Sequence, residues 1–164
     1  MEPLIALVLV TTAVLVAGRH RPSLSGWPTA LRAGVGVMFL MTGIAHFVGM
    51  RDELVAMVPA WLPAPGLLVA VTGVLEIAGA LAMASSRLAP YAAAGLSVLL
   101  VAMFPANVHL ALTGTDLPWW DHLLPRTLMQ LVFLAATTTV AASGLRPPAR
   151  ERRGSATLGG WRPS

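Results

Sequence analysis

Apolar residues are grouped into five blocks along this chain, and shorter polar segments separate the blocks. The blocks extend over residues 4–18, 31–50, 66–84, 88–112 and 123–145. About 20 helical residues cross a hydrocarbon core of roughly 30 Å, and the last four blocks supply that length. The first block supplies it only when the flanking Pro3 and Arg19 lie at the membrane interface. The pattern predicts an all-α, polytopic transmembrane helix bundle over residues 1–145.

The composition supports a membrane protein and excludes several kinds of site. Apolar residues make up 56% of the 164 residues, charged residues only 11%, and the mean hydropathy is +0.74. Soluble domains carry about 25% charged residues. The arginines are scattered between the apolar blocks, so nucleic-acid binding is not indicated. Cysteine is absent and no haem, iron–sulfur or flavin motif is present, so electron carriers of these classes would belong to another subunit.

The distribution of arginine predicts the orientation of the bundle, because the chain contains no lysine. With five spans and the N-terminus outside, nine arginines lie on the inner side and two on the outer side. The inner ones are Arg19, Arg21, Arg32, Arg87, Arg146, Arg150, Arg152, Arg153 and Arg162, and the outer ones are Arg51 and Arg126. This bias follows the positive-inside rule and predicts a cytoplasmic C-terminus.

Residues 146–164 differ from the blocks in composition. They contain Pro147, Pro148 and Pro163, a pair of glycines at Gly159 and Gly160, and five of the arginines. This composition is typical of disordered segments. The sequence predicts a disordered, arginine-rich cytoplasmic tail, which anionic lipids attract by about 1 kcal/mol for each arginine near the surface.

Glu76 lies near the middle of the third block, within an otherwise apolar stretch. A charge near the bilayer midplane costs at least about 2.5 kcal/mol, so this carboxyl is expected to have a partner or a function. In the predicted topology the other unusual polar residues of the blocks lie in the outer half of the bilayer. The candidate ligand-binding residues are His46, Glu76, Asn107, Arg126 and Gln130. Together they predict an outward-facing polar pocket.

Helical spacing supports close contact between the second and third blocks. Gly43 and His46 lie three positions apart, and so do Gly73 and Glu76. Residues with this spacing share a helix face, and small residues there let two membrane helices approach closely. We therefore expect the imidazole and the carboxyl to meet at the bundle axis.

The last two blocks contribute the remaining polar side chains. Arg126 and Gln130 are four positions apart and face together. Asn107 and His109 are two positions apart and point about 200° away from each other in a regular helix. We expect Asn107 inside the bundle and His109 near the interface.

Two further interpretations use the same residues. Glu76 and Arg126 can form a structural ion pair, because buried charges pair whether or not a site exists. A metal site from His46, Glu76 and His109 has suitable ligand types. No two of these residues have the i, i+3 or i, i+4 spacing of a helical ligand pair, so no metal is predicted.

The motifs of the last four blocks resemble those of a known family. In order they are Gly43-Ile44-Ala45-His46-Phe47, Met57-Val58-Pro59-Ala60-Trp61-Leu62-Pro63, Gly73-Val74-Leu75-Glu76-Ile77, Phe104-Pro105-Ala106-Asn107-Val108-His109, and Arg126 with Gln130. This ordered set resembles the DoxX-like family of small bacterial integral membrane proteins over roughly residues 33–142. Family members often carry a proline between the arginine and the glutamine, and this chain has none there.

The resemblance implies a four-helix membrane core, to which the first block adds an N-terminal fifth span. It implies that the five polar residues are the family's polar signature and that the protein lies in the bacterial inner membrane. Relatives in that family are linked to respiratory or redox complexes, including the membrane subunit of a quinone-reducing enzyme, and to maturation of periplasmic enzymes.

Three functional hypotheses follow. The preferred one is a non-catalytic, redox-associated accessory subunit whose polar pocket binds a quinone-like or other lipophilic molecule, or contacts a redox or periplasmic protein partner. Quinone carbonyls accept hydrogen bonds, which His46, Arg126 and Gln130 can donate. The second is a small intramembrane acid–base enzyme of isomerase or hydrolase type, with Glu76 and His46 as candidate catalytic residues. The third is a structural bundle with no ligand.

Overall fold

A computed structural model describes residues 1–145, and this part of the chain is all-helical. Its helices are α1 (Glu2–Ala17), α2 (Trp27–Ala45), α3 (Arg51–Met57), α4 (Pro65–Ala82), α5 (Ala89–Thr113) and α6 (Leu123–Leu145), with short 3-10 helices at Pro22–Leu24 and Trp119–Asp121. The predicted tail, residues 146–164, lies outside the described residues.

Four helices, α2, α4, α5 and α6, are long and apolar enough to cross a membrane. They correspond to the last four apolar blocks. Helix α1 has 16 residues and therefore a length of about 24 Å, which is shorter than the hydrocarbon core. A fifth span at α1 stays a prediction.

Successive long helices run antiparallel. Between α2 and α4, Gly36 lies opposite Met83, Gly43 opposite Glu76, and His46 opposite Gly73, so one residue number rises as the other falls. Helices α5 and α6 pack along their length, α6 also contacts α2, and α1 packs against α2. The predicted all-α bundle with a four-helix core and an additional N-terminal helix is confirmed.

The second block differs most from its predicted bounds. It was expected to be helical over residues 31–50, but α2 begins at Trp27 and ends at Ala45. Pro28 occupies the first turn, where proline's fixed φ favours a helix start. Gly49 has a φ of 82°, which breaks the helix and permits the turn before α3. Helix α3 was not anticipated.

Glycine is present at four helix crossings, those of α1 with α2, α2 with α4, α4 with α5, and α5 with α6. A Cβ atom on Gly34 would collide with Thr11 of α1, and one on Gly79 would lie 2.8 Å from Leu96 of α5. A Cβ on Gly144 would collide with Pro90. Because association in lipid depends on close packing, these glycines set how near the helices come.

The two ends of the bundle carry different charges. The arginine end, where α2 and α5 begin, carries Arg19, Arg21, Arg32 and Arg87. The acidic end, where α4 and α6 begin, carries Glu2, Asp52, Glu53, Asp116 and Asp121 with two arginines, Arg51 and Arg126. Within residues 1–145, every acidic side chain except Glu76 belongs to the acidic end.

Candidate functional site

Thr42 of α2, His46 directly after the end of α2, and Glu76 of α4 form a polar group between two apolar helices, which we call the Glu76 cluster. The Thr42 hydroxyl donates a hydrogen bond to Glu76 Oε2 over 2.6 Å. His46 Nδ1 lies 3.9 Å from the same oxygen. His46 is 4% exposed and Glu76 is 3% exposed, so the cluster is enclosed by protein.

Glycines explain how this cluster forms. A Cβ atom on Gly43 would lie 3.1 Å from the Gly73 carbonyl oxygen and 3.1 Å from Glu76 Cβ. A Cβ on Gly73 would lie 2.5 Å from His46 Cβ. Only residues without a side chain allow the two backbones to approach so closely, and this approach places the carboxyl within reach of Thr42.

The position of one proton on His46 follows from its hydrogen bond. His46 Nδ1 lies 2.8 Å from the Thr42 carbonyl oxygen, which can only accept. Nδ1 therefore carries the hydrogen, and the neutral imidazole presents Nε2 as an acceptor. Thr42 thus orients both partners, the carboxyl through its hydroxyl and the imidazole through its carbonyl.

Two polar atoms of the cluster have no hydrogen-bond partner in the described part of the chain. Among the described residues, no side-chain hydrogen bond engages His46 Nε2 or Glu76 Oε1. Neither atom is among the fully buried atoms that lack a partner. Both therefore have unused hydrogen-bonding capacity.

Arg126, Asn107 and Asp121 form a second group, the Arg126 cluster, between α5, α6 and the preceding 3-10 helix. One guanidinium nitrogen of Arg126 donates to Asn107 Oδ1 over 2.8 Å, and the other donates to Asp121 Oδ1 over 2.9 Å. The guanidinium Nε is buried and unpaired within the described part of the chain. This ion pair closes the acidic end of the α5–α6 contact.

Gln130 belongs to neither cluster. Its amide nitrogen donates to the Leu100 carbonyl of α5 over 2.6 Å, and the side chain is buried. Ser97 and Thr137 form a further link between the same helices, over 2.7 Å. These bonds fasten α5 to α6 and use the amide that was expected to bind a ligand.

The five predicted residues are therefore not joined in one hydrogen-bonded network. His46 and Glu76 meet as expected, whereas Asn107 and Arg126 meet elsewhere. Over residues 1–145, no hydrogen bond or ion pair joins the two clusters, and the considered ion pair between Glu76 and Arg126 is not formed. Each charged side chain has a nearer partner, the Thr42 hydroxyl for Glu76 and Asp121 for Arg126.

Asn107 faces the bundle interior, as predicted, since it accepts from Arg126. His109 is half-buried, and its Nδ1 is buried without a partner in the described region. Its expected position near the interface stays a prediction. No group of three or more histidine or acidic side chains suited to a metal is found within residues 1–145.

Sequence reasoning missed Thr42 and the pairing role of Asp121. Thr42 lies four positions before His46, so helical spacing places both on one face. That spacing was a usable signal. Asp121 precedes α6 in a 3-10 helix, whose geometry the apolar pattern does not indicate.

Comparison with known proteins identifies a family. The family described as Domain of unknown function (DUF8561) matches residues 35–141, which include α4, α5 and most of α2 and α6. No curated protein and no solved structure matches the chain. The family match spans 107 of the 164 residues and includes both polar clusters. The protein therefore belongs to the DUF8561 family.

Proposed function

We propose that this protein is a membrane subunit that binds a lipophilic molecule through a hydroxyl group, as in a quinol, at the Glu76 cluster. The observation that carries the proposal is the pair of unengaged atoms, His46 Nε2 and Glu76 Oε1. Thr42 holds both side chains in place, so little ordering is needed when a ligand binds.

The available atoms favour a ligand hydroxyl over a ligand carbonyl. The donors expected to serve a quinone carbonyl are engaged: His46 Nδ1 with Thr42, two nitrogens of Arg126 with Asn107 and Asp121, and Gln130 with Leu100. In its neutral form His46 offers an acceptor at Nε2, and the Glu76 carboxyl group offers another. A phenolic hydroxyl donates to such acceptors.

The same arrangement can accept a proton. The ligand hydroxyl donates to His46 Nε2, and its proton moves to that nitrogen, which leaves a phenolate and an imidazolium. Nδ1 of the imidazolium still donates its hydrogen bond to the Thr42 carbonyl oxygen, and Glu76 Oε2 lies 3.9 Å from Nδ1. A neighbouring carboxylate stabilises the imidazolium charge.

The cellular role belongs to the same proposal. The resemblance of the motifs to the DoxX-like family supports a redox-associated accessory subunit in a bacterial inner membrane. The excess of arginine at one end supports an orientation in which that end faces the cytoplasm and the acidic end faces outward. In this orientation a periplasmic or membrane redox partner would meet the acidic end.

Co-purification tests the proposal. Wild-type protein and the Glu76→Gln, His46→Gln and Arg126→Gln variants are purified in mild detergent, and extracted lipophilic molecules are identified by mass spectrometry. We expect a phenol or quinol in the wild type, at least tenfold less in the two variants of the Glu76 cluster, and wild-type amounts in Arg126→Gln. Loss of the molecule in Arg126→Gln alone would assign binding to the Arg126 cluster. Folded wild-type protein that carries no phenol or quinol would mean that the Glu76 cluster is a structural contact.

An acid–base enzyme is the second candidate, supported by the 3.9 Å separation of His46 Nδ1 and Glu76 Oε2. Such an enzyme would convert the molecule that it binds. Incubating the identified ligand with wild type and Glu76→Gln separates the two functions, because a binding subunit returns the ligand unchanged and an enzyme yields a product only when Glu76 is present.

A further inference from the structure

A second polar recess lies at the arginine end, away from both clusters. It is a half-open cleft of about 90 Å³, several times the volume that one water molecule needs. Its walls come from the start of α2, the start of α5 and the end of α6, and its polar lining includes Thr29, Arg32, Ser86 and Ser143.

The cleft carries positive charge without a matching negative one. Arg32 is half-buried, so its guanidinium is held at the wall. No acidic side chain of residues 1–145 lies within ion-pair distance of it. Arg87 directly follows Ser86, which adds a second cation near the rim. A partly buried cation of this kind favours an anionic ligand.

The neutral donors of the cleft suit an oxyanion. The hydroxyls of Thr29 and Ser86 make no side-chain hydrogen bond within the described residues, whereas the Ser143 hydroxyl donates to the Val140 carbonyl. The Thr29 backbone amide, in the first turn of α2, also has no backbone acceptor there. A guanidinium with neutral hydroxyls and an amide is the donor set that binds phosphate.

The depth of the cleft indicates where that phosphate comes from. The cleft lies at the end of helices that are long enough to cross a bilayer. Trp27, next to the lining residue Pro28, is exposed, and tryptophan is enriched at the level of the lipid headgroups. We propose that this cleft binds the phosphate of an anionic phospholipid headgroup. This inference is independent of the ligand at the Glu76 cluster.

Native mass spectrometry of the full chain in detergent tests this site. Phosphatidylglycerol is titrated into wild type and the Arg32→Gln and Ser86→Asp variants, with Arg51→Gln, at the acidic end, as the matched control. Loss of a charge-assisted hydrogen bond is expected to weaken binding about tenfold in Arg32→Gln. Repulsion is expected to weaken it similarly in Ser86→Asp, and Arg51→Gln should stay within about twofold.

Competition distinguishes the two sources of phosphate. Excess inorganic phosphate should displace little phosphatidylglycerol when the lipid is the ligand, and full displacement would assign the cleft to free phosphate. Equal binding by wild type, Arg32→Gln and Ser86→Asp would overturn the site. An equal loss of binding in Arg51→Gln would also overturn it, because the lipid would then be attracted to any arginine, whatever its position. Ser86→Asp keeps the test decisive if Arg32→Gln does not fold.

Discussion

At the scale of single residues, Thr42 organises the candidate site. Its hydroxyl holds the Glu76 carboxyl and its carbonyl fixes the tautomer of His46. One side chain on α2 therefore determines the position of a carboxyl on α4 and the acceptor that His46 presents. Glu76 is the conspicuous residue of the sequence, but the neutral side chain of Thr42 fixes the position of its carboxyl group.

Replacing Thr42 by valine should loosen the α2–α4 contact. The change removes a hydrogen bond between membrane helices, and such bonds contribute about 0.5–2 kcal/mol to the free energy of unfolding. Tryptophan fluorescence during denaturation in micelles measures this free energy. The control is Thr138→Val, whose exposed hydroxyl donates only to carbonyls of its own helix. Equal stability of the two variants would contradict the proposed role of Thr42.

The sequence was sufficient to predict some contacts of the site but not others. Glu76 and His46 could be paired in advance because each lies three positions from a glycine that permits close approach. The partner of Gln130 could not be predicted, since it is a backbone carbonyl, Leu100 O, and no sequence pattern marks that acceptor. Helical spacing gives the direction of a side chain within one helix, not the helix that it meets.

At the scale of helices, hydropathy was sufficient for four of the six. Apolar length located α1, α4, α5 and α6 to within two residues at each end. It misplaced α2, because an apolar run cannot show that Pro28 starts the helix or that the chain turns near Gly49. Hydropathy also missed α3, because its seven residues begin with the charged Arg51, Asp52 and Glu53 and form no apolar block.

The α2–α4 crossing should be sensitive to one added methyl group. Gly43→Ala would place a Cβ 2.8 Å from Ile77 and 3.1 Å from Glu76, so the helices must separate. Overpacking of this kind costs about 1–3 kcal/mol, and ligand retention at the Glu76 cluster should fall with it. The control is Gly95→Ala in α5, where a Cβ meets nothing within 4 Å.

The two alanine variants are compared by the free energy of unfolding and by the amount of co-purified ligand. Gly95→Ala should be neutral or stabilising by up to about 1 kcal/mol, because glycine weakens a helix interior. If Gly43→Ala behaved like Gly95→Ala, the close crossing would not be what assembles the site.

At the scale of the whole molecule, the bundle is electrically asymmetric. Four arginines lie at one end of the described chain, and the acidic end has five carboxyl groups with two arginines. The proposed phosphate cleft belongs to the arginine end. The Glu76 cluster lies beside the opposite end of α2, so the two proposed sites are separated along the bundle.

The absence of cysteine makes this asymmetry testable in cells. Single cysteines are introduced at Ser23, at the arginine end, and at Thr115, at the acidic end, and are labelled with a membrane-impermeant maleimide. We expect Thr115→Cys to be labelled in intact cells and Ser23→Cys only after permeabilisation. The reverse pattern would refute the proposed orientation, and labelling of both in intact cells would mean that the connecting segments do not lie on opposite sides.

In the proposed site, His46 Nε2 accepts a hydrogen bond from a ligand hydroxyl, and nitrogen NMR observes that atom directly. Protein labelled with ¹⁵N at its four histidines is reconstituted in lipid and titrated with a short-chain benzoquinol, and His46→Gln assigns the resonance. We predict that the His46 Nε2 resonance shifts on titration, that Nδ1 keeps its proton, and that the resonances of His20, His109 and His122 stay unchanged. An unchanged His46 resonance, or a shift confined to His109, would rule out ligand binding at His46 Nε2.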